Sequence, residues 1–303
     1  MPTPQAYRNG QSVSAETLSV PVYDAGFVLG TTVTEQLRTF NGSLFGLCGD
    51  LRRFAQARQL AGFATDFSRT EIAEMAHDLA GKNHSLLQAG DDLGLCIFAT
   101  PGAYPAMAPA DAEGPLLAIH TYPLPFRLFA EKYQSGQRLI VSDVPQISPR
   151  AIPPNLKCRS RMHYWLADTQ ARDNDPHARA ISHDEQVFVL EATTANILVY
   201  REDEGLISPP GEKILPGISV LTTCELAEQL GMTLCERDLS VEDLQTADEL
   251  MLTSTSMCIL AACVLNGSPI GKGQPGPIFQ QLLIDWQQKV GVDFVAQAEQ
   301  HAD

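Results

Sequence analysis

The chain has 303 residues, 44% of them hydrophobic and 19% charged, which is the composition of an ordinary globular protein with room for two domains. A formal net charge of −15 argues against nucleic acid and anionic membranes as partners, because both attract basic surfaces. No run approaches the roughly 18 apolar residues of a spanning helix. The opening Met1-Pro2-Thr3-Pro4-Gln5 has no charged-then-apolar signal pattern. The seven cysteines are scattered and form no CxxC pair, which predicts free thiols in a reducing, cytoplasmic setting.

Turn residues and hydrophobic periodicity then divide the chain. Residues 6–22 read as a hairpin turned at Asn9-Gly10. The β-branched, alternating run 31–40 is turned back into 43–45 by Asn41-Gly42. Helices are predicted over 50–61 and 66–80, the second capped by Asp66 or Ser68. Residues 93–100 and 116–122 read as buried strands, with a Pro-, Ala- and Gly-rich loop between them as a pocket rim. Pro123-Leu124-Pro125-Phe126 is the expected connection. It divides the chain into domains at 1–122 and 137–303 with a linker at 123–136. In the second domain, strands are predicted at 137–144, 178–182, 187–190 and 205–208, and the 187–190 strand resumes at 197–200 beyond Glu191. Helices are expected over 161–172, 220–230, 241–244 and 278–290, and Asn266-Gly267 marks a hairpin.

Two residues between 151 and 200 stand out chemically. Lys157 lies between an apolar residue and a helix start, and a lysine in a perturbed environment is the usual Schiff-base residue. Glu191 interrupts an apolar β-type run, and a buried carboxylate needs a cationic or protonated partner. Pyridoxal phosphate (PLP) takes both groups: its aldehyde takes a lysine, and its ring nitrogen takes an acid.

The order Lys157, Ser160-Arg161, then Glu191-Ala192-Thr193-Thr194-Ala195-Asn196-Ile197 resembles the class IV (fold type IV) PLP aminotransferases. That family includes branched-chain aminotransferases, D-amino-acid aminotransferases and aminodeoxychorismate lyases. Four further blocks stand in the family's order. They are Asp24-x-Gly26-Phe27-x-x-Gly30-x-x-Val33-x-Glu35-x-Leu37-Arg38, Leu215-Pro216-Gly217-Ile218-Ser219, Ala247-Asp248-Glu249 with Thr253-Ser254-Thr255, and the Gly271 to Pro277 approach to the last helix. The resemblance covers residues 7–290. It implies an α/β (α+β) fold of two domains, the second a pseudo-barrel, with the cofactor in the cleft between them, and a homodimer. By position it makes Lys157 the catalytic lysine and Glu191 the ring-nitrogen acid. Arg53, Thr194, Gly217, Ile218, Ser219 and Thr255 complete the cofactor-binding set, and no metal is implied. Where the family carries Glu-His before the phosphate arginine, this chain has Gly49-Asp50, and Gly46 replaces an arginine.

The resemblance places Leu29, Thr34, Thr100 and Ser256 in the substrate pocket, and its subgroup markers diverge. Gly30-Thr31-Thr32-Val33-Thr34-Glu35 is similar to the branched-chain enzymes' segment, although Thr34 stands for their aromatic and Leu29 for their tyrosine. The arginine of the D-amino-acid enzymes after the third strand is absent from Thr100-Pro101-Gly102. Lys157-x-x-Ser160-Arg161 is similar to the lyase spacing. The expected activity is amino-group transfer between an aliphatic, branched-chain L-amino acid and a 2-oxo acid. The alternatives are a lyase acting on aminodeoxychorismate, a D-amino-acid aminotransferase and a non-catalytic PLP-binding relic. His120 and His163, in apolar contexts, read as hydrogen-bonded structural histidines.

Overall fold

A computed structural model describes residues 3–302; Met1 and Pro2, read above for a signal pattern, and the terminal Asp303 lie outside them. The chain forms two units: the chain up to Leu124 with Asn155–Ser160, and Pro125–Pro154 with the chain from Arg161.

In the first unit, β1 (Gln5–Arg8) and β2 (Gln11–Ser14) form the predicted hairpin, with Asn9 and Gly10 at φ of 45° and 78°. These positive angles are what an Asn-Gly two-residue turn supplies. The short helix α1 (Ala25–Val28) follows, capped by the Asp24 side chain. Then come β3 (Val33–Phe40), β4 (Ser43–Leu44), α2 (Leu47–Leu60), α3 (Arg69–His84), β5 (Leu93–Thr100) and β6 (Leu116–Pro123). Of the two caps considered for α3, Ser68 is the one used, in a reciprocal capping box with Glu71. The strands form one antiparallel sheet in the order β2-β1-β6-β5-β3-β4. Alternate residues on neighbouring strands, Leu37 against Leu95 and Ile97 against Ile119, share one face and bury with Leu51, Phe54, Ile72 and Leu79 of the helices. The opposite face carries Thr34, Gln36, Cys96, Phe98 and His120.

The second unit contains α4 (Lys132–Ser135), β7 (Gln137–Val141), α5 (Met162–Asn174), β8 (Ala178–His183), β9 (Val189–Ala192), β10 (Ala195–Arg201) and β11 (Gly205–Ser208). It continues through α6 (Ile218–Gln229), β12 (Leu234–Glu236), α7 (Val241–Gln245), β13 (Glu249–Ser254), β14 (Cys258–Leu265), β15 (Ser268–Pro269), α8 (Pro277–Val290) and α9 (Phe294–Gln300). The path β10-β13-β14-β7-β8-β9 closes on itself through the β9–β10 pairing, so the sheet is barrel-like. Glu249 of the Ala-Asp-Glu block accepts the Ile278 and Phe279 amides at 2.9 and 2.8 Å, capping α8 with a carboxylate where the helix dipole favours one. Trp286 of α8 is buried and donates to Thr223 of α6 at 2.9 Å.

Three expectations are corrected. The stretch 123–136 is not a linker: it carries a 3-10 turn at Phe126–Leu128 and α4, and Phe126, Phe129 and Tyr133 are buried. The Tyr133 hydroxyl donates to the Met257 carbonyl at 2.7 Å, because the stretch is too aromatic to stay in water. Residues 155–160, counted with the second domain, belong to the first unit, held by Thr34 N–H to Lys157 O at 3.0 Å and Arg159 N–H to Thr32 O at 2.8 Å. Finally, the strand does not resume beyond Glu191. The chain reverses at Thr193-Thr194, and Glu191 pairs with Asn196 across the new hairpin. Thr194 takes the left-handed φ of 64° that this reversal needs, without the Asn or Gly that signals it in a sequence.

Candidate active site

Each unit carries its own group of candidate residues. In the first, β3 places Glu35 on the helix-packed face, where α2 presents Arg53 and Asp50. Glu35 is fully buried. Its Oε1 accepts from Arg53 Nε at 2.8 Å and its Oε2 from Arg53 Nη2 at 2.5 Å, a fork-to-carboxylate pair. The same Nη2 donates to Asp50 Oδ1 at 2.6 Å. Lys157 Nζ donates to Glu35 Oε2 at 2.9 Å. Neither Glu35 nor Asp50 receives a role from the sequence; a glutamate in line with Val33 and Leu37 on the apolar face of β3 is the available signal.

The electrostatics follow from burial. Desolvation raises the Glu35 carboxyl, but Lys157 and Arg53 outweigh it and hold the group below its ordinary value, so it stays ionised. Desolvation also lowers the Lys157 ammonium, against the pull of Glu35. The amine can therefore lose its proton more readily than a surface lysine, as a nucleophile or base must. Asp50 is pushed up to about 7, by burial and then by the charge of Glu35.

In the second unit, Glu191 is buried at the β9–β10 closure. Its Oε1 accepts from Asn196 Nδ2 at 2.7 Å and from the Leu215 amide at 3.2 Å, which fixes the carboxyl plane. Asn196 Nδ2 also donates to the Leu215 carbonyl at 2.9 Å, tying the hairpin to the segment that enters α6. Burial pushes Glu191 up to about 8; the Leu215 amide and the Arg161 charge only partly offset it. A carboxyl held this way takes up a cationic N–H donor readily, because the charge of such a partner relieves the desolvation penalty.

Gly217 is the N-cap of α6, and an added Cβ would lie 2.2 Å from Asn196 Oδ1, so only glycine lets the loop approach the hairpin this closely. The helix start has no side-chain cap and no acidic residue in its first turn. The amides of Ile218 and Ser219 are among those left without intrahelical acceptors, which suits an anion. Thr255 and Ser256, both half-buried, lie in the turn between β13 and β14. A buried lysine, a buried acid suited to a cationic N–H, and an uncapped helix start suited to a phosphate are the three groups that PLP requires, so the residues present fit it.

Other expected site residues stand elsewhere. Thr194 is exposed at the hairpin apex, while the neighbouring Thr193 hydroxyl donates to Asp168 at 2.7 Å. Thr100 is buried and donates to Asp24 Oδ2 at 2.7 Å; it braces the α1 cap and does not offer its hydroxyl to a pocket. Leu29 is 55% exposed at the end of α1. Thr34 is fully buried, with its hydroxyl 3.4 Å from the Cys96 thiol. His120 is hydrogen-bonded as expected, its Nδ1 lying 3.3 Å from the Thr121 carbonyl. The Nδ1 of His163, in contrast, is buried with no partner among the described residues, and burial lowers its pKa. Among the described residues none of the seven cysteines is in a disulfide.

Comparison with known proteins agrees with this geometry. Residues 32–264 match the family described as amino-transferase class IV. A D-alanine aminotransferase of Bacillus licheniformis is 25% identical over 271 residues, covering 89% of this chain and 91% of that protein. The T.th. branched-chain amino acid aminotransferase, solved with pyridoxamine 5'-phosphate, superposes with a TM-score of 0.85 at 21% identity, covering 96% of this chain and 95% of its own. The branched-chain enzyme of Escherichia coli gives a TM-score of 0.85 at 23% identity, with 96% and 94% coverage.

Proposed function

The chain belongs to the class IV aminotransferase family, whose members use PLP, and from that premise we propose that it transfers an amino group between an aliphatic, branched-chain-type L-amino acid and a 2-oxo acid. The observation that carries the catalytic assignment is Lys157: a desolvated amine inside the first unit, 2.9 Å from an ionised Glu35 and fixed at its backbone to β3. PLP, when bound, supplies the electron sink for the pair left at the substrate Cα. The chain's own residues do the rest. Lys157 Nζ would hold the cofactor at its aldehyde carbon and, once the substrate amine displaced it, would move the proton at the substrate Cα, first as base and then as acid. Glu35 orients Nζ and takes part of its charge. Glu191 Oε, held by Asn196 and Leu215, keeps a proton at the ring nitrogen. Ile218 and Ser219 would donate amides to the phosphate, with Thr255 beside them and Gly217 making room, and Arg53, its fork held by Glu35 and Asp50, would add positive charge.

The L-amino-acid reading rests on Thr100-Pro101-Gly102, which offers no cation where the D-amino-acid enzymes carry arginine. A second reading, a D-amino-acid aminotransferase, is favoured by relatives such as the Bacillus licheniformis protein. Single amino acids added to the PLP-loaded protein decide between them. L-leucine, L-isoleucine or L-valine should replace the visible band of the lysine-bound cofactor with the near-ultraviolet band of the aminated one. Conversion by D-alanine alone would establish the second reading. Conversion by no amino acid, with turnover of aminodeoxychorismate, would make the protein a lyase.

The same reading takes the protein as a homodimer. On α5, Met162, Trp165 and Leu166 are 69%, 66% and 51% exposed at helical spacing, an apolar stripe that a second copy would cover. Light scattering after gel filtration should give twice the chain mass. Trp165→Glu should shift the mass towards one chain, and a monomeric wild type would count against the stripe's role.

A further inference from the structure

The first unit holds a group of side chains that the mechanism above does not use. Cys96 of β5 is buried, and its thiol lies 3.4 Å from the Thr34 hydroxyl and 3.4 Å from Nη2 of Arg159. His120 of β6 stands directly across the sheet from Cys96. Arg159 is exposed, and its backbone N–H is fixed to Thr32 O at 2.8 Å, so the guanidinium is anchored at one end and rests on the thiol at the other. It sits two residues from Lys157 along a segment whose position β3 determines.

The chemistry of this group is anion recognition. Among the described residues no carboxylate pairs with Arg159 or His120, although this chain carries 36 acidic residues and the buried cations Arg53 and Lys157 are both held by carboxylates. The Cys96 thiol beside it holds His120 above its ordinary value, against burial and the charge of Arg159. A guanidinium without a carboxylate partner offers a planar fork of donors that matches one. Amino acids and 2-oxo acids all carry a carboxylate.

We propose that Arg159, seated on Cys96 with His120 behind it, is a specificity-determining residue that holds a carboxylate of the substrate. The proposal rests on the aminotransferase reading for its substrate class, but its test measures binding and needs no turnover. Calorimetry is run on the PLP-loaded protein with two acids that cannot react, glutarate and 4-methylvalerate. Arg159→Gln should weaken binding at least about tenfold, the scale of losing one charge-assisted pair. Arg159→Lys should recover part of it, keeping the charge but not the fork. A loss for glutarate alone assigns Arg159 to a distal carboxylate; an equal loss for both acids assigns it to the carboxylate common to all substrates. In steady state the Gln variant should raise KM and leave kcat nearly unchanged, a split that a merely structural role would not produce. Unchanged affinity for both acids in a folded, PLP-loaded Arg159→Gln protein overturns the proposal, as does the absence of binding to the wild type. If binding behaves as expected but no amino acid is converted, the aminotransferase reading fails and the carboxylate subsite stands.

Discussion

Replacing Lys157 by alanine is expected to lower amino-group transfer by at least about 10³-fold while the protein stays folded and still takes up PLP. General acid–base transfer by a positioned group contributes roughly 10²–10⁴-fold, and the same substitution removes the nucleophile. The fold should survive because Glu35 keeps both donors of the Arg53 fork after the Lys157 contact is lost. A lower unfolding temperature should accompany the change, since one partner of a buried ion pair has gone. Lys157→Arg separates the two effects: it can restore the charge beside Glu35 and the stability, yet a guanidinium cannot give up its proton and the variant should remain inactive. Single-turnover spectra with the best amino acid measure the chemistry directly. An added primary amine should restore part of the rate in the alanine variant and none in the arginine one. Turnover by Lys157→Ala near the wild-type level would remove Lys157 from the catalytic role.

Glu191→Gln is expected to slow the half-reaction by on the order of 10²–10³-fold, the scale of losing one preorganised charge at a reacting centre. Glutamine keeps the shape and can still accept from Asn196 and Leu215, so PLP should remain bound. The pH behaviour gives a second readout. In the apoprotein the folded state raises Glu191 from 4.5 to about 8. Between those values the folded state binds more protons than the unfolded one, so this group's contribution to stability falls as pH rises through the window. Above it the ionised carboxylate is buried without a cation. Apoprotein melts should therefore show the wild type losing stability relative to Glu191→Gln from pH 5 to pH 8, by a few kcal/mol as an order of magnitude. PLP should flatten this slope, because a protonated ring nitrogen stabilises the carboxylate. Parallel melting curves for the two apoproteins across the range would show that Glu191 is not held protonated.

The secondary structure was largely legible where turns carried their own chemistry. Asn9-Gly10, Asn41-Gly42 and Asn266-Gly267 marked their hairpins because Asn and Gly are the residues that tolerate positive φ. The strand at Leu93–Thr100 and the helix at Arg69–His84 announced themselves by apolar pattern and cap. The Thr193-Thr194 reversal did not, since a β-branched pair gives no turn signal and only the pairing of β9 with β10 holds Thr194 at φ 64°. The aromatic stretch 126–133 looked like a linker because Pro123 and Pro125 precede it in the sequence, whereas its burial partners are distant.

By itself the sequence determined the family, through blocks whose order and spacing cover nearly the whole chain, and it singled out Lys157 and Glu191 as a base and an acid. Only the tertiary structure decided what those residues touch. It brought Glu35, Arg53 and Asp50 to Lys157 from positions more than a hundred residues earlier in the chain, and it moved residues 155–160 into the first unit. It also made Asn196 the partner of Glu191 and put Arg159 on Cys96. The reason is physical. Propensity and periodicity act over a few neighbouring residues, whereas the protonation of a buried group depends on the charges and dipoles that folding packs around it, and those come from anywhere in the chain.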